Sequence, residues 1–281
     1  MYMIIKGSFI EQCTRKWKLC EVSNIIDHFD IALRDRVNVS QHVDFSAYER
    51  IILHIAAKSI VSSREIIQLC KTGFADGALS LARILYEHLV ILLFFESKEK
   101  DADYDHMIDD YNLDLELQVL RGEKQIGEYF AQERLPEIEK QIEECKNRAH
   151  RKVATRDYWW AGVNSFKNMV DVVCNNLCEH ESITIRMMSV LYLRASQSIH
   201  SSSLGNILRL GFHPRSNVLN TLPTDEGQHL PLYFTCMAMI GIICFVCDRF
   251  GIDNAEYKTE LNSLSNYYEE RIKQKGSTTN A

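Results

Sequence analysis

Residues 78–96, ALSLARILYEHLVILLFFE, are apolar on most sides of a helical projection. The run contains neither proline nor glycine and is longer than a typical strand, so it predicts a helix deep in a core. Only four prolines and twelve glycines occur among the 281 residues. An all-β fold needs more frequent turns, so the sequence predicts an all-α fold.

Helical periodicity continues on both sides of this run. Ser46, followed three residues later by Glu49, has the pattern of a capping box at the start of the preceding helix. Residues 121–156 contain sixteen charged residues, which is typical of a solvated amphipathic hairpin with Pro136 near the start of its second arm. The predicted bundle helices cover about 47–70, 78–96, 161–178, 183–200 and 232–249.

The predicted organisation is a helical bundle with an inserted charged helical hairpin. We expect a helical lead-in over residues 1–45, a bundle core over 46–250 with the hairpin inserted at 101–156, and a C-terminal helix with a frayed tail over 251–281.

The net charge of −6 argues against a protein that coats nucleic acid by bulk electrostatics, so any contact with RNA needs a local basic patch. The nine cysteines are odd in number and lack secreted spacing, and the first residues lack a signal peptide pattern. We therefore expect a reduced, cytoplasmic protein. The sequence predicts no cofactor and no metal, because neither CNNLCEH (174–180) nor CFVC (244–247) has a matched second pair of ligands.

Residues 230–247 carry no formal charge and are about as long as the shortest membrane spans. The central helix of a bundle has the same composition, and Lys or Arg do not flank this run. We expect a buried helix, so a membrane partner is unlikely on sequence grounds, with a membrane-associated effector as the alternative.

The stretch YLRASQSIHSSS, residues 192–203, places polar groups where a core helix normally has aliphatic ones. Tyr192, Ser196 and His200 are spaced by four, which puts them on one stripe of a helix, whereas Arg194 lies about 120° from His200. Arg194 and His200 can therefore meet at one target only if the helix ends or bends near His200.

Arg83 and Glu87 are four residues apart inside the apolar run, and a buried charge needs a partner. One interpretation is an ion pair that links this helix to a neighbour. The other is a polar pocket in which Arg83 and Glu87 meet Tyr192, Ser196 and His200. The two interpretations are compatible.

The pair Arg194 and His200 has the chemistry of RNA cleavage without a metal. Imidazole exchanges protons near neutral pH, guanidinium stabilises a phosphate, and RNA supplies its own 2′-OH nucleophile. The spacing is unspecific, since RILYEH (83–88) is a second match. The alternative is a helix-ending His200 bonded to a backbone carbonyl and an Arg194 that faces water.

Residues 146–160, KNRAHRKVATRDYWW, combine basic side chains with a final aromatic trio. Such a segment can hold a phosphate backbone and stack an unpaired base. Burial of the tryptophans in the core explains the aromatic residues of this segment equally well. The candidate RNA-binding residues are Arg148, Arg151, Lys152, Arg156 and Trp159.

Three segments together, ALSLARILYEHLVILLFF, YWWAGVNSFKNMV and YLRASQSIHSSS, resemble a widespread family of uncharacterised bacterial all-α proteins. That family is marked by Arg-x3-Glu, a downstream Trp and Tyr-x3-Ser-x3-His, and the resemblance covers roughly residues 45–250. The matching residues are Arg83, Glu87, Trp159 or Trp160, Tyr192, Ser196 and His200.

The family is in turn similar to HEPN domains, helical bundles whose RNA-cleaving members use Arg-x4-6-His and act in phage defence or as toxins. This resemblance implies an RNA-directed protein, if an enzyme then an endoribonuclease, and a homodimer with a shared site. A polar residue commonly follows the Arg in those nucleases, whereas Ala195 does here. The alternative is a non-catalytic module for ligand sensing or for binding a protein partner through the charged hairpin.

Overall fold

A computed structural model of the chain describes residues 7–39, 44–153, 158–199 and 223–278. Regular structure in these ranges consists of ten α-helices and two short 3-10 helices, without a strand, which confirms the predicted all-α fold. The α-helices are α1 Gly7–Lys16, α2 Leu19–Val39, α3 Ala47–Lys71, α4 Ala75–Lys98, α5 Tyr104–Phe130, α6 Leu135–Arg148, α7 Phe166–Asn176, α8 Glu179–Ile199, α9 His229–Phe250 and α10 Ala255–Thr278.

The chain divides into two compact units. Unit 1 comprises residues 1–45, 49–92 and 183–281, and unit 2 comprises residues 46–48 and 93–182. Helices α3, α4 and α8 contribute residues to both units, while α5, α6 and α7 belong to unit 2 alone.

The apolar helix α9 forms the centre of unit 1. It begins at His229, three residues before the predicted start, because a proline such as Pro231 is tolerated in the first turn of a helix. Most of its side chains are buried. A Cβ atom at Gly241 would lie 2.6 Å from Cδ1 of Leu89, so glycine allows α9 to approach α4 closely.

Two hydrogen bonds join the last helix, α10, to the connection between α1 and α2. The hydroxyl of Tyr268 donates to the carbonyl of Trp17 at 2.6 Å, and that of Tyr267 donates to the carbonyl of Lys16 at 2.7 Å. The indole N–H of Trp17 in turn donates to the carbonyl of Asp225 at 2.8 Å. Because Trp17 and Tyr268 are buried, these bonds satisfy polar groups inside the core.

Within the described part of the chain, two helices, α4 and α9, are long and apolar enough to cross a membrane. In the folded chain, 56% of the apolar window of α4 and 72% of that of α9 are buried. The core helix of a soluble protein meets the same length and composition criteria, so these criteria are weak evidence for a span.

Helices α5 and α6 form the predicted charged hairpin of unit 2. Pro136 lies in the first turn of α6, as expected from the sequence. Buried Leu120 and Ile138 belong to the apolar faces of the two arms, and Lys124 pairs with Glu139 at 2.7 Å on the outside. This part of the fold prediction is confirmed.

The chain between the hairpin and α7 differs from the predicted helix over 161–178. Trp159–Ala161 form a 3-10 helix, and Gly162 then adopts a φ of 67°, which stops the helix. Helix α7 starts only at Phe166, where the Ser165 hydroxyl accepts a hydrogen bond from the backbone N–H of Asn168.

Candidate functional site

Three of the sequence-predicted residues meet between α4 and α8 in unit 1. The hydroxyl of Tyr192 donates to Oε1 of Glu87 at 3.0 Å. Nε of Arg83 lies 3.5 Å from the same oxygen, and the Arg83 guanidinium carbon lies 5.7 Å from the centre of the Tyr192 ring. We refer to Arg83, Glu87 and Tyr192 as the polar cluster.

Tyr86 connects the polar cluster to the backbone of α8. Its ring is fully buried, with its centre 5.6 Å from that of the Tyr192 ring. Its hydroxyl donates to the carbonyl of Ile185 at 2.9 Å. Two tyrosine hydroxyls from opposite helices therefore hold α8 against α4, which fixes both the rotation and the axial position of α8.

The electrostatic environment keeps Tyr192 protonated. Burial, reinforced by the nearby carboxylate of Glu87, raises the pKa of the Tyr192 phenol to about 12. A neutral phenol is a hydrogen-bond donor over the whole physiological range. Tyr192 is therefore suited to holding the carboxylate of Glu87 in place, and its hydroxyl does not exchange protons near neutral pH.

Ser196 lies one turn beyond Tyr192 and is half-buried. Its hydroxyl donates to the carbonyl of Tyr192 at 2.9 Å, within the same helix. Ser196 is therefore next to the polar cluster, and its hydroxyl proton is used locally by α8.

Arg194 lies on the opposite side of α8 from the polar cluster. Two residues of helix correspond to about 200°, so Arg194 points away from both Tyr192 and Ser196. It is exposed, on a face that also exposes Met187, Val190 and Leu193. The cluster and Arg194 thus belong to two faces of one helix, and not to a single pocket. His200 lies outside the described residues.

The basic segment of unit 2 is largely neutralised by its own carboxylates. Arg148 donates to Glu116 at 2.7 Å. Arg151 pairs with Asp103 and, at 3.3 Å, with Asp110, and it also donates to the carbonyl of Trp160. These contacts hold Arg151 and Trp160 against α5.

The remaining candidates for RNA binding differ in their surroundings. Lys152 is exposed, and Arg156 lies outside the described residues. Trp159 is 5% exposed, and its indole N–H donates to Oδ1 of Asp114 at 2.5 Å. The structure therefore places the Trp159 ring in the core of unit 2, where it offers no face to a base.

Sequence reasoning missed two buried carboxylates, Asp110 and Asp114. Both oxygens of Asp110 accept backbone hydrogen bonds, from His150 at 2.8 Å and from Arg151 at 3.1 Å. The available signal was the spacing 107, 110, 114 and 117, which puts both acids on the apolar face of α5 with Met107 and Leu117. Because α5 and the residues after it contain many charged side chains, this apolar spacing is difficult to recognise in the sequence.

A family model, described as "Family of unknown function (DUF5677)", matches residues 49–216, more than half of the chain. The chain belongs to the DUF5677 family. No curated protein and no solved structure matches it. The DUF5677 match spans α3 to α8 and contains the polar cluster, Trp159, Arg194 and His200, while α9 and α10 lie beyond it.

The second Arg-x4-6-His match noted in the sequence of this DUF5677 chain, RILYEH, ends at His88, which packs against α3. The hydroxyl oxygen of Ser59 lies 2.7 Å from the carbonyl oxygen of Ile55 and forms a hydrogen bond of 2.8 Å with Nδ1 of His88. Burial, aided by the charge of Lys58, lowers the pKa of His88 from 6.5 to about 4. His88 is thus neutral at physiological pH.

All nine cysteines lie in the described residues, and all are free thiols. Cys20 and Cys178 are exposed, and Cys244 is partly exposed. No group of three or more His, Cys, Asp or Glu within the described ranges is arranged to hold a metal ion. The buried cysteines are Cys13, Cys70, Cys145, Cys174, Cys236 and Cys247.

Proposed function

We propose that this DUF5677 protein is an RNA-directed, HEPN-like protein of bacterial defence or toxin type that cleaves RNA without a metal. The observation that carries the proposal is the exposed guanidinium of Arg194 on α8. The polar cluster fixes α8 from the other side through the bond between Tyr192 and Glu87. A cation on a firmly held helix is pre-organised for a phosphate.

In this scheme Arg194 binds the non-bridging oxygens of the scissile phosphate. The 2′-oxygen of the preceding ribose attacks phosphorus and the bond to the 5′-oxygen breaks, which leaves a 2′,3′-cyclic phosphate and a 5′-hydroxyl end. His200 takes the proton of the 2′-OH or gives one to the leaving oxygen. Arg83, Glu87, Tyr192 and Ser196 act as positioning residues, because they hold α8 and do not face the phosphate.

RNA binding outside the site requires local positive charge, since the chain is acidic overall. Lys152 and Arg148 are exposed, although Arg148 already pairs with Glu116. We propose Lys152 and Arg156 as the main contacts of this segment with the phosphate backbone, with smaller contributions from Arg148 and Arg151.

The test is an RNA cleavage assay with purified protein in EDTA, analysed for cyclic phosphate ends. We expect His200→Ala and Arg194→Ala to lower the rate by roughly 100-fold or more. Arg186→Ala is the matched control, because Arg186 is another exposed arginine of α8 and should leave the rate unchanged. Cleavage at the wild-type rate by soluble, helical His200→Ala protein would remove His200 from the mechanism.

The second candidate is a non-catalytic interaction module that binds a protein partner through the charged hairpin. It is favoured by the intramolecular pairing of Arg148 and Arg151, which leaves little free positive charge for RNA. This candidate predicts that no RNA is cut by the wild-type protein under any condition. Charge reversals between residues 121 and 148 would then impair cellular function more than changes at Arg194 or His200.

A further inference from the structure

An open groove of about 480 Å³ lies between residues 18–28 and residues 259–264 of unit 1, and we call it the α2–α10 groove. Its volume is in the range of small-molecule sites, about 300–1,000 Å³. Ile25 and Leu264 line it and are 2% and 5% exposed, so they form an apolar floor. Such a floor offers the methylene groups of a ligand an apolar surface to cover.

Two hydrogen bonds set the direction and the offset of the two helices. The hydroxyl of Tyr257, near the start of α10, donates to the carbonyl of His28 at 3.4 Å. The hydroxyl of Tyr267, ten residues later, donates to the carbonyl of Lys16 at 2.7 Å. The helices are therefore antiparallel along the groove.

Each wall of the groove carries one exposed carboxylate, Glu21 from α2 and Glu260 from α10. The antiparallel offset places Glu260 level with Asn24, so the two carboxylates are roughly one helical turn, about 5 Å, apart along the groove. Asn24 and Ser263 add an amide oxygen and a hydroxyl oxygen to the walls. The walls thus present hydrogen-bond acceptors above an apolar floor.

The fold does not use the carboxylates of the groove. Within the described part of the chain, neither Glu21 nor Glu260 forms a hydrogen bond or an ion pair. Asp27 and Asp30, on another face of α2, both pair with Arg64, at 2.7 and 2.8 Å. The negative charge of the groove is therefore available to a ligand.

The ammonium of Lys18 lies at the end of the groove and does not neutralise this charge. It is 4.3 Å from the centre of the Tyr267 ring, in a cation–π contact. The backbone of Lys18 has a φ of 50°, a left-handed conformation that is uncommon outside glycine. The turn before α2 and the Tyr267 ring together keep this ammonium at the end of the groove.

We propose that the α2–α10 groove binds an aliphatic diamine or polyamine. One ammonium group pairs with Glu21 and a second with Glu260, while the methylene groups between them cover the apolar floor. An ammonium group has up to three protons to donate, so Asn24 and Ser263 accept the remaining hydrogen bonds. The two ends of butane-1,4-diamine are separated by a distance similar to that between the two carboxylates along the groove.

The groove selects against other small ligands. A phosphate or a carboxylate would meet the negative charge of both walls. A metal ion needs several ligands close together, and the described ranges contain no suitable group of three or more. The net charge of −6 favours a cationic ligand as well. This inference involves neither Arg194 nor the polar cluster, so it is independent of the proposed RNA cleavage.

The first experiment is calorimetric titration of the full-length protein with butane-1,4-diamine and with spermidine at physiological ionic strength. We expect one site per chain, and the variant Glu21→Gln/Glu260→Gln should raise the dissociation constant about tenfold. Circular dichroism should be unchanged, because both side chains are exposed. Glu11→Gln/Glu133→Gln is the matched control, since it removes the same charge from two other exposed positions and should bind like the wild type.

The second experiment varies the ligand. Butylamine keeps the methylene chain but has only one ammonium group, so it should bind the wild-type protein several-fold more weakly than butane-1,4-diamine. The difference between the two amines should disappear in the Glu21→Gln/Glu260→Gln variant.

The proposal is overturned if neither diamine nor spermidine binds. It is also overturned if the control variant Glu11→Gln/Glu133→Gln loses as much affinity as Glu21→Gln/Glu260→Gln, because net charge alone would then explain binding. Competition for the site by magnesium ions or inorganic phosphate at equal ionic strength would assign the groove to a metal or an anion instead.

Discussion

At the scale of single residues, the hydroxyl of Tyr192 is the link between α8 and α4. Its acceptor is a carboxylate, and hydrogen bonds to charged groups are stronger than those between neutral ones. Without this donor, Glu87 remains next to Arg83 in a half-buried site with one fewer partner.

Tyr192→Phe should therefore lower the free energy of unfolding by about 1–2 kcal/mol. Urea denaturation followed by circular dichroism measures this change. Tyr233→Phe is the matched control, because Tyr233 is also buried and its hydroxyl makes no hydrogen bond within the described residues. If both variants lose the same free energy of unfolding, the hydrogen bond from Tyr192 to Glu87 does not stabilise the fold.

His88 makes stability depend on pH. Its pKa is about 4 in the folded protein and 6.5 in an ordinary environment, so the unfolded chain binds a proton that the folded chain excludes. The contribution of neutral His88 is complete above pH 6.5 and is lost as the pH falls towards 4.

Between these two pH values, we expect the free energy of unfolding to fall by on the order of 2 kcal/mol more in the wild-type protein than in the His88→Asn variant. Asparagine keeps a donor for Ser59 but does not titrate. Urea denaturation at a series of pH values measures the difference, and parallel profiles for the two proteins would contradict the expectation.

At the scale of elements, the buried acids of α5 organise the segment that precedes α7. Asp110 is fully buried and accepts bonds from two backbone N–H groups and from Arg151. Removal of its carboxylate leaves three donors without their acceptor, which is costly inside a protein.

Asp110→Ala should cost about 3 kcal/mol of stability and should expose the amides of residues 149–153 and 158–161 to hydrogen exchange. Asp109→Ala is the control, since the neighbouring Asp109 is largely exposed and lies 3.6 Å from His150. Its effect should stay below about 1 kcal/mol. Equal protection of these amides in the Asp110→Ala and wild-type proteins would contradict this account.

Helix existence could be predicted from apolar periodicity, and helix ends only where a strong local signal exists. The helix from Ala47 begins where the Ser46 pattern indicated, whereas the helix expected from 161 starts at Phe166. Gly162 and Ser165 caused that difference through a positive φ and a cap, features that the periodicity of neighbouring residues does not contain.

The meeting of Arg83, Glu87 and Tyr192 could also be predicted, because charges in an apolar helix need partners. The separation of Arg194 from this cluster follows from its position two residues after Tyr192, but its exposure depends on which face of α8 the tertiary packing buries. The burial of Asp110 and Asp114 could not be predicted from the sequence. Their hydrogen-bond partners are mostly backbone groups and an indole that are distant in sequence.

At the scale of the whole molecule, the long apolar helix α9 is used inside unit 1. Its side chains pack against other helices, including the contact of Gly241 with Leu89. A helix whose apolar surface is already covered gains little from lipid.

The full chain should therefore stay in the supernatant after ultracentrifugation of a detergent-free lysate. Immunoblotting of the supernatant and the membrane pellet measures the distribution. Recovery in the pellet, with release by detergent and not by high salt or sodium carbonate, would contradict this expectation and support the membrane-associated alternative.

The positions of the exposed thiols allow a fluorophore to be attached to each of the two units. Burial raises the pKa of Cys13, Cys236 and Cys247 to about 11 to 12, so these thiols react poorly with maleimides. The exposed Cys20 belongs to unit 1 and the exposed Cys178 to unit 2. Two fluorophores attached there would report, by energy transfer, any rearrangement of the two units when RNA is added.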